Sequence, residues 1–152
     1  MSCVPLNRDM IALGIRQPWA KLILHGIKTI EVRSRDTAQW VPIYLYASKK
    51  ISEIAPAAAA ASKYCLDLET LPRGVIVGTI ELREISPCRR SDAQAVCVPR
   101  SYLKNRFAWH IVGPVRFDQP LTVRFLPYGV WFYLWKRRNR QCRLRRVAGR
   151  EG

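Results

Sequence analysis

The spacing of apolar residues along this chain changes several times, and each change marks an element. Met10 to Ile15 is apolar enough for a first strand. Pro18 then suits the first turn of a helix, where its missing N–H costs nothing. Trp19, Leu22, Ile23 and Gly26 fall at i, i+3, i+4 and i+7, a helical stripe that stops at a glycine fit for a left-handed cap. Residues 27–33 predict a second strand, with Ile30 and Val32 on one face and Thr29, Glu31 and Arg33 on the other. Lys28 falls where the chain leaves Gly26, so strict alternation need not set its direction. Val41 to Ala47, rich in Ile, Tyr and Val, predicts a third strand. Ile51 to Lys63 contains the run Ala57 to Ala61 and predicts a helix, with Pro56 in its first turn or at a kink.

Leu71-Pro72-Arg73-Gly74 is a turn signal ahead of a long strand, Val75 to Ile85, in which Gly78 allows a bend or bulge. Residues 86–105 mix Ser, Pro, Arg and Asp irregularly and predict a long loop with room for a short helix. Phe107 to Phe117 predicts a strand interrupted at Gly113-Pro114, Leu121 to Phe125 a short one, and Val130 to Trp135 the closing one. Five or six strands with two helices early in the chain and mostly short connections predict an α+β domain with a closed or nearly closed barrel. A sandwich is the alternative that periodicity alone leaves open. Residues 1–135 are expected to form this domain. Residues 136–152, poor in apolar side chains, are expected to be a basic tail, disordered or helical only on a polyanion.

Charge adds a partner to this picture. The 152 residues hold 26 Lys and Arg against 11 Asp and Glu, a net charge of +15 and a pI near 10.3. Such a field attracts polyanions, nucleic acid first and an anionic membrane second. Eight basic and no acidic residues lie between Lys136 and Arg150, yet residues 1–135 still carry 18 basic against 10 acidic. The body is therefore basic without its tail, although a charged run is often no more than a solvated segment. Five cysteines without a Cys-x-x-Cys spacing, and two unclustered histidines, indicate free thiols and neither a metal site nor a cofactor. No apolar run approaches the roughly 20 residues of a membrane span, and Met1 to Arg8 has no signal-peptide pattern. An intracellular, cytoplasmic protein away from membranes is expected. The oligomeric state is left open.

The candidate chemistry lies in residues 26–33, Gly-Ile-Lys-Thr-Ile-Glu-Val-Arg. A carboxylate flanked by two cations, one of them a planar fork, suits an anionic or highly polar ligand. The plain alternative is an exposed strand face with ion pairs.

Ile15-Arg16-Gln17-Pro18-Trp19-Ala20 followed by Gly26-x-Lys28-x-x-Glu31-x-Arg33 resembles the signature of the ASCH (activating signal cointegrator homology) domain, a branch of the PUA-like superfamily. Tyr46-Ala47-Ser48-Lys49-Lys50, Leu71-Pro72-Arg73-Gly74 into Val77-Gly78-Thr79-Ile80-Glu81-Leu82, Phe107-Ala108-Trp109-His110 and Tyr128-Gly129-Val130-Trp131 fit the same family. The similarity spans about residues 10–133. It implies a PUA-like β-barrel with a cleft between the first helix and the Gly-x-Lys-x-x-Glu-x-Arg segment. It also implies RNA as the usual ligand, with some members hydrolysing RNA or acylated cytidine nucleosides and one acting in transcription coactivation. In the small bacterial members that deacylate N4-acylated cytidine the motif resembles Lys-x-x-Thr, with the threonine as nucleophile and a later glutamate as partner. Here Lys28 matches the lysine, but Glu31 stands at the threonine position, and residues 86–105 hold Asp92 and no Glu. That triad does not carry over.

Two readings follow. In the first, Arg16, Trp19, Lys28, Arg33, Ser48 and Lys49 line a cleft for single-stranded or structured RNA, with Arg137, Arg138 and Arg140 of the tail adding affinity. In the second, Lys28 and Glu31 are catalytic in a metal-independent hydrolase acting on RNA or on an N4-acylated cytidine nucleoside. Glu31 would take a proton while Lys28 or Arg33 neutralises developing charge. Trp19 on the helical stripe fits the core as well as a base-stacking role. Trp109, Trp131 and Trp135 are expected in the core or at the rim, and His110 as a structural strand histidine.

Overall fold

Pro18 and Gly26 bound the first helix. A computed structural model describes residues 7–38, 42–123 and 126–134, and in it α1 (Trp19–Leu24) begins directly after Pro18. Gly26 has φ +71°. Its N–H donates to the carbonyl of Ile23 at 3.0 Å, and the N–H of Ile27 to that of Leu22 at 3.0 Å, the paired bonds of a Schellman cap. The Lys28 N–H donates to the same Leu22 carbonyl at 3.1 Å. The cap therefore consumes residues 27 and 28, and the second strand is shorter than the 27–33 expected: β2 is Ile30–Arg33.

Five further strands complete one sheet: β1 (Ile11–Ile15), β3 (Ile43–Ala47), β4 (Val75–Pro87), β5 (Phe107–Leu121) and β6 (Trp131–Tyr133). Neighbour order is β2-β5-β4-β3-β1-β6. All neighbours are antiparallel except β1 and β3. With α2 (Ala55–Lys63) and α3 (Ala93–Val96), this is the α+β class that the element pattern predicts, its barrel taking the form of a six-stranded sheet curled into a half-barrel.

Several expectations are corrected. Gly113-Pro114 does not interrupt a strand, and Leu121 does not open a new one, because Phe107–Leu121 is continuous. Val112 pairs with Glu81 and Val115 with Thr79, so Gly113 and Pro114 together face the single residue Ile80. In this bulge Gly113 takes φ +57° and Pro114 owes the ladder no N–H. Residues 86–105 are more regular than a loop, with α3 between two 3-10 turns, Arg90–Asp92 and Arg100–Tyr102. The predicted 51–63 helix starts later, at Ala55, with Pro56 in its first turn. Val41, Arg124, Phe125, Trp135 and the tail with Arg137, Arg138 and Arg140 lie outside the described residues.

Apolar burial divides among the two faces of the sheet and a satellite. Leu13, Ile15, Leu45, Ile80, Leu82 and Trp109 pack with residues of α1 and α2. Ala12, Tyr44, Tyr46, Ile76, Phe132 and Leu134 pack together in a second cluster. Every residue of β3 is consequently buried. Ile30, Val96, Leu103 and Ala108 form the satellite, which seats the 86–105 segment against β2. Cys65, Cys88 and Cys97 are free thiols, and no helix among the described residues is long and apolar enough to cross a membrane.

Gly78 is required by the close approach of β4 to its neighbours. A Cβ there would fall far inside van der Waals contact distance of the Val115 carbonyl oxygen and 2.8 Å from Leu24 Cδ2. Because one obstacle is backbone, relief by a rotamer change is closed. Gly78→Ala is expected to lower unfolding stability by at least about 2 kcal/mol, measured by chemical denaturation. A loss below about 0.5 kcal/mol would refute this account.

Candidate functional site

The sheet curls until its two ends meet, and the junction is the candidate site. β2 is one edge of the sheet, and β1 stands next to the other edge. Yet Arg33 of β2 donates from Nη2 to the carbonyl of Gly14 on β1 at 3.0 Å. The same guanidinium holds Nε 3.2 Å from Glu31 Oε1 and lies 5.8 Å from the Trp109 ring centroid. Trp109 in turn stacks on Trp131 at 5.8 Å with 25° between planes, and donates its indole N–H to the Arg35 carbonyl at 2.9 Å.

Lys28 approaches Glu31 from the other side. Its ammonium donates to the Val96 carbonyl, at the last residue of α3, at 2.8 Å, and lies 5.1 Å from the Trp19 ring centroid. At 3.7 Å from Glu31 Oε2 it makes an ion pair with the carboxylate, too long for a hydrogen bond. Gln17, buried beside the cap residue Pro18, accepts the N–H of Lys21 at 3.0 Å through Oε1 and donates to the Pro72 carbonyl at 3.0 Å. It thereby fixes the start of α1 against the turn before β4.

A cavity of about 800 Å³ opens over this junction. Its wall carries five cations, Arg16, Arg33, Lys49, Lys50 and Arg106, and one carboxylate, Glu31. Arg16, Lys49, Lys50 and Arg106 are exposed and form the rim, whereas Glu31 and Tyr46 are buried. A second cavity of about 210 Å³ abuts it behind Trp19, Glu31, Val32 and Arg106, and Lys28 lies on that wall. Of the residues singled out from the sequence, Arg16, Trp19, Glu31, Arg33, Ser48 and Lys49 thus surround the large cavity, and Lys28 borders only the small one. Trp19 is 7% exposed within the core and also forms part of the wall. His110 is hydrogen-bonded to Ser86 Oγ at 3.1 Å.

Several wall residues escaped the sequence reading. Tyr46 alternates with Leu45 and Ala47 in an apolar strand and reads as core; only its hydroxyl was a signal. Arg106 sits between the irregular 86–105 stretch and the strand that begins at Phe107, where nothing local fixes a direction. Lys50, Ser52 and the segment 126–130 are brought to the wall by the curl of the sheet.

Residues 13–121 match the family model of the ASCH domain, and the chain belongs to that family. Its fold is that of solved ASCH structures. ASCH from Zymomonas mobilis aligns with a TM-score of 0.55 at 15% identity, covering 93% of this chain and 96% of that one. Two point variants of the Zymomonas mobilis protein each give 0.52, at 16% and 17% identity, over 93% of this chain and 98% and 96% of theirs. A search of curated proteins found no match.

Burial of Lys28, which is 3% exposed, pushes its pKa below the usual 10.5, and the nearby Glu31 carboxylate opposes that shift in part. The unfolded chain therefore binds more protons than the folded one between the lowered pKa and 10.5, so stability rises with pH across that window. Below it the full cost of burying the ammonium is present. Relative to Lys28→Met, which has no such proton, the parent protein is expected to gain stability as pH is raised toward 10.5. Paired urea unfolding curves across that range check this, and a constant or shrinking difference would contradict the burial-driven shift.

Proposed function

We propose that the chain binds RNA through the large cavity, phosphates being held at its exposed rim. The observation that carries this reading is the rim itself. Arg16, Lys49, Lys50 and Arg106 are exposed around a cavity of about 800 Å³ whose single carboxylate, Glu31, is buried and paired with Arg33 and Lys28. Exposed cations around a concave surface attract a phosphate backbone and release its counterions. Family membership supports the same partner class, and the eight cations of residues 136–150 add to the attraction.

A metal-independent hydrolase acting on RNA or on an N4-acylated cytidine nucleoside is the second reading. Lys28 and Glu31 supply its observation, because they border one small cavity together. The Lys28 ammonium has a lowered pKa, and Glu31 Oε2 has no hydrogen-bond partner. Glu31 would accept a proton from water or a ribose hydroxyl, with Lys28 beside it. Against this, the Lys28 ammonium is already committed to the Val96 carbonyl and is absent from the large cavity's wall.

For the binding reading, Lys49→Ala/Lys50→Ala is expected to reduce the slope of log affinity against log salt by about 1.4, roughly 0.7 for each phosphate released. Fluorescence anisotropy with a labelled single-stranded RNA measures it. Removing residues 136–152 is expected to weaken binding several-fold and flatten the slope further. An unchanged slope in the double variant would remove the rim from the interface. Recovery of intact RNA, and of unaltered N4-acetylcytidine, after incubation favours binding; turnover abolished by Glu31→Gln while RNA affinity survives establishes the hydrolase.

A further inference from the structure

Arg73, in the turn before β4, is an exposed cation that lines neither cavity. Its guanidinium nevertheless reaches the rim, where Nη1 donates to the Lys49 carbonyl at 3.2 Å. That bond uses one of the group's several N–H donors and leaves the others to solvent or a ligand. The ion pairs of the described residues join Glu31 to Lys28 and Arg33, and involve none of Lys49, Lys50 and Arg73.

The next residue shapes the contact from the other side. Gly74 takes φ +71°, and its N–H donates to the Ala47 carbonyl at 2.6 Å. A Cβ there would lie 3.1 Å from Lys49 Cγ and 3.3 Å from Lys49 Cε, so the lysine stem runs along the bare Cα. A lysine on open surface spreads over many rotamers, and ordering it on a ligand costs entropy. This stem has lost part of that freedom beforehand. The turn is itself braced, because buried Gln17 donates from Nε2 to the Pro72 carbonyl at 3.0 Å. The Gln17 carbonyl in turn accepts the Ser52 N–H at 2.9 Å.

The resulting ridge offers positive charge and N–H donors just outside the cavity. None of the exposed large apolar side chains of the described residues belongs to 47–50 or 71–74, whereas the centre of a protein interface needs such anchors. A phosphate backbone needs only the charge and the donors. Resting on the RNA-binding reading above, we propose that the 71–74 turn is the exit of the RNA path, where Arg73 and the pre-ordered Lys49 hold a phosphate beyond the cavity mouth.

Arg73→Gln, Arg73→Lys and Arg83→Gln, an exposed control further along β4, test this by anisotropy with a labelled single-stranded RNA across a salt series. Arg73→Gln is expected to lower the slope of log affinity against log salt by about 0.7, one phosphate, and the affinity about three- to fivefold. Arg73→Lys is expected to keep the slope, and Arg83→Gln to change neither quantity. Gly74→Ala is expected to weaken binding in the parent and to add nothing in a Lys49→Ala background, because its effect runs through the lysine stem. The Arg73 variants decide alone if Gly74→Ala, strained at positive φ, does not fold. A parent-like slope for Arg73→Gln, or an equal fall for Arg83→Gln, overturns the exit contact. Equal losses from Gly74→Ala in both backgrounds overturn the pre-ordering of Lys49. If the slope of Lys49→Ala/Lys50→Ala still falls, RNA binding at the rim stands without the exit; if that slope is unchanged as well, both fail.

Discussion

The guanidinium of Arg33 is the part on which the rest of the site depends. A sheet that curls without a hydrogen-bonded ladder between its ends needs some other bond across the junction, and the 3.0 Å contact from Nη2 to the Gly14 carbonyl provides one. The same planar group faces Glu31 along one edge and lies near Trp109. Lysine could not do these three things, because a point charge on a flexible stem has neither the fork nor the face. Since the residue that bridges the sheet ends also lines the cavity, the shape of the barrel and the shape of the site are one quantity. A change that loosens the junction moves Glu31, Gly14 and the mouth together.

Lys28 extends that frame behind the wall. Its bond to the Val96 carbonyl joins the exit of α1 to the end of α3, where a cation also meets the negative end of the short helix. The lysine that matches the family's motif is thus tied into the frame. Its charge, with that of Arg33, brackets Glu31. A carboxylate in a strongly basic protein is accordingly spent on its two neighbours and does little to cancel the field of the exposed rim.

Local features were legible in the sequence because their causes are local. Pro18, the Trp19–Ile23 stripe and Gly26 encode a helix and its cap within nine residues, and Gly78 marks a bend whichever strand lies beside it. Glu31 and Arg33 followed from alternation along β2. What stayed hidden depends on distant partners. The end of β2 nearest Lys28 is set by the Schellman cap, and the direction of the lysine by a carbonyl 68 positions on. Gly113-Pro114 reads as a break until Ile80 is placed opposite it. Arg33 and Gly14 are 19 positions apart, and no periodicity announces that their strands meet after the sheet has curled. Tyr46 was legible as buried but not as polar wall, since pattern alone treats a tyrosine in an apolar strand as filling.

Gly14 and Tyr46 carry the physical tension that remains. A glycine inside a strand weakens it, and a tyrosine hydroxyl buried without a partner costs about 1–3 kcal/mol. Phenylalanine would fill the same volume beside Phe132, whose ring meets Tyr46 edge-on at 5.1 Å, and would leave nothing unmet. Neither residue is what packing alone selects at its position, and the two are register partners. Ser48, whose Oγ lies 3.3 Å from where a Gly14 Cβ would stand, is polar as well. A core optimised for stability alone would carry phenylalanine at position 46, so packing gives no account of a buried hydroxyl at the cavity wall. The buried wall thus bears a polar cost that the exposed cations of the rim, standing in water, do not.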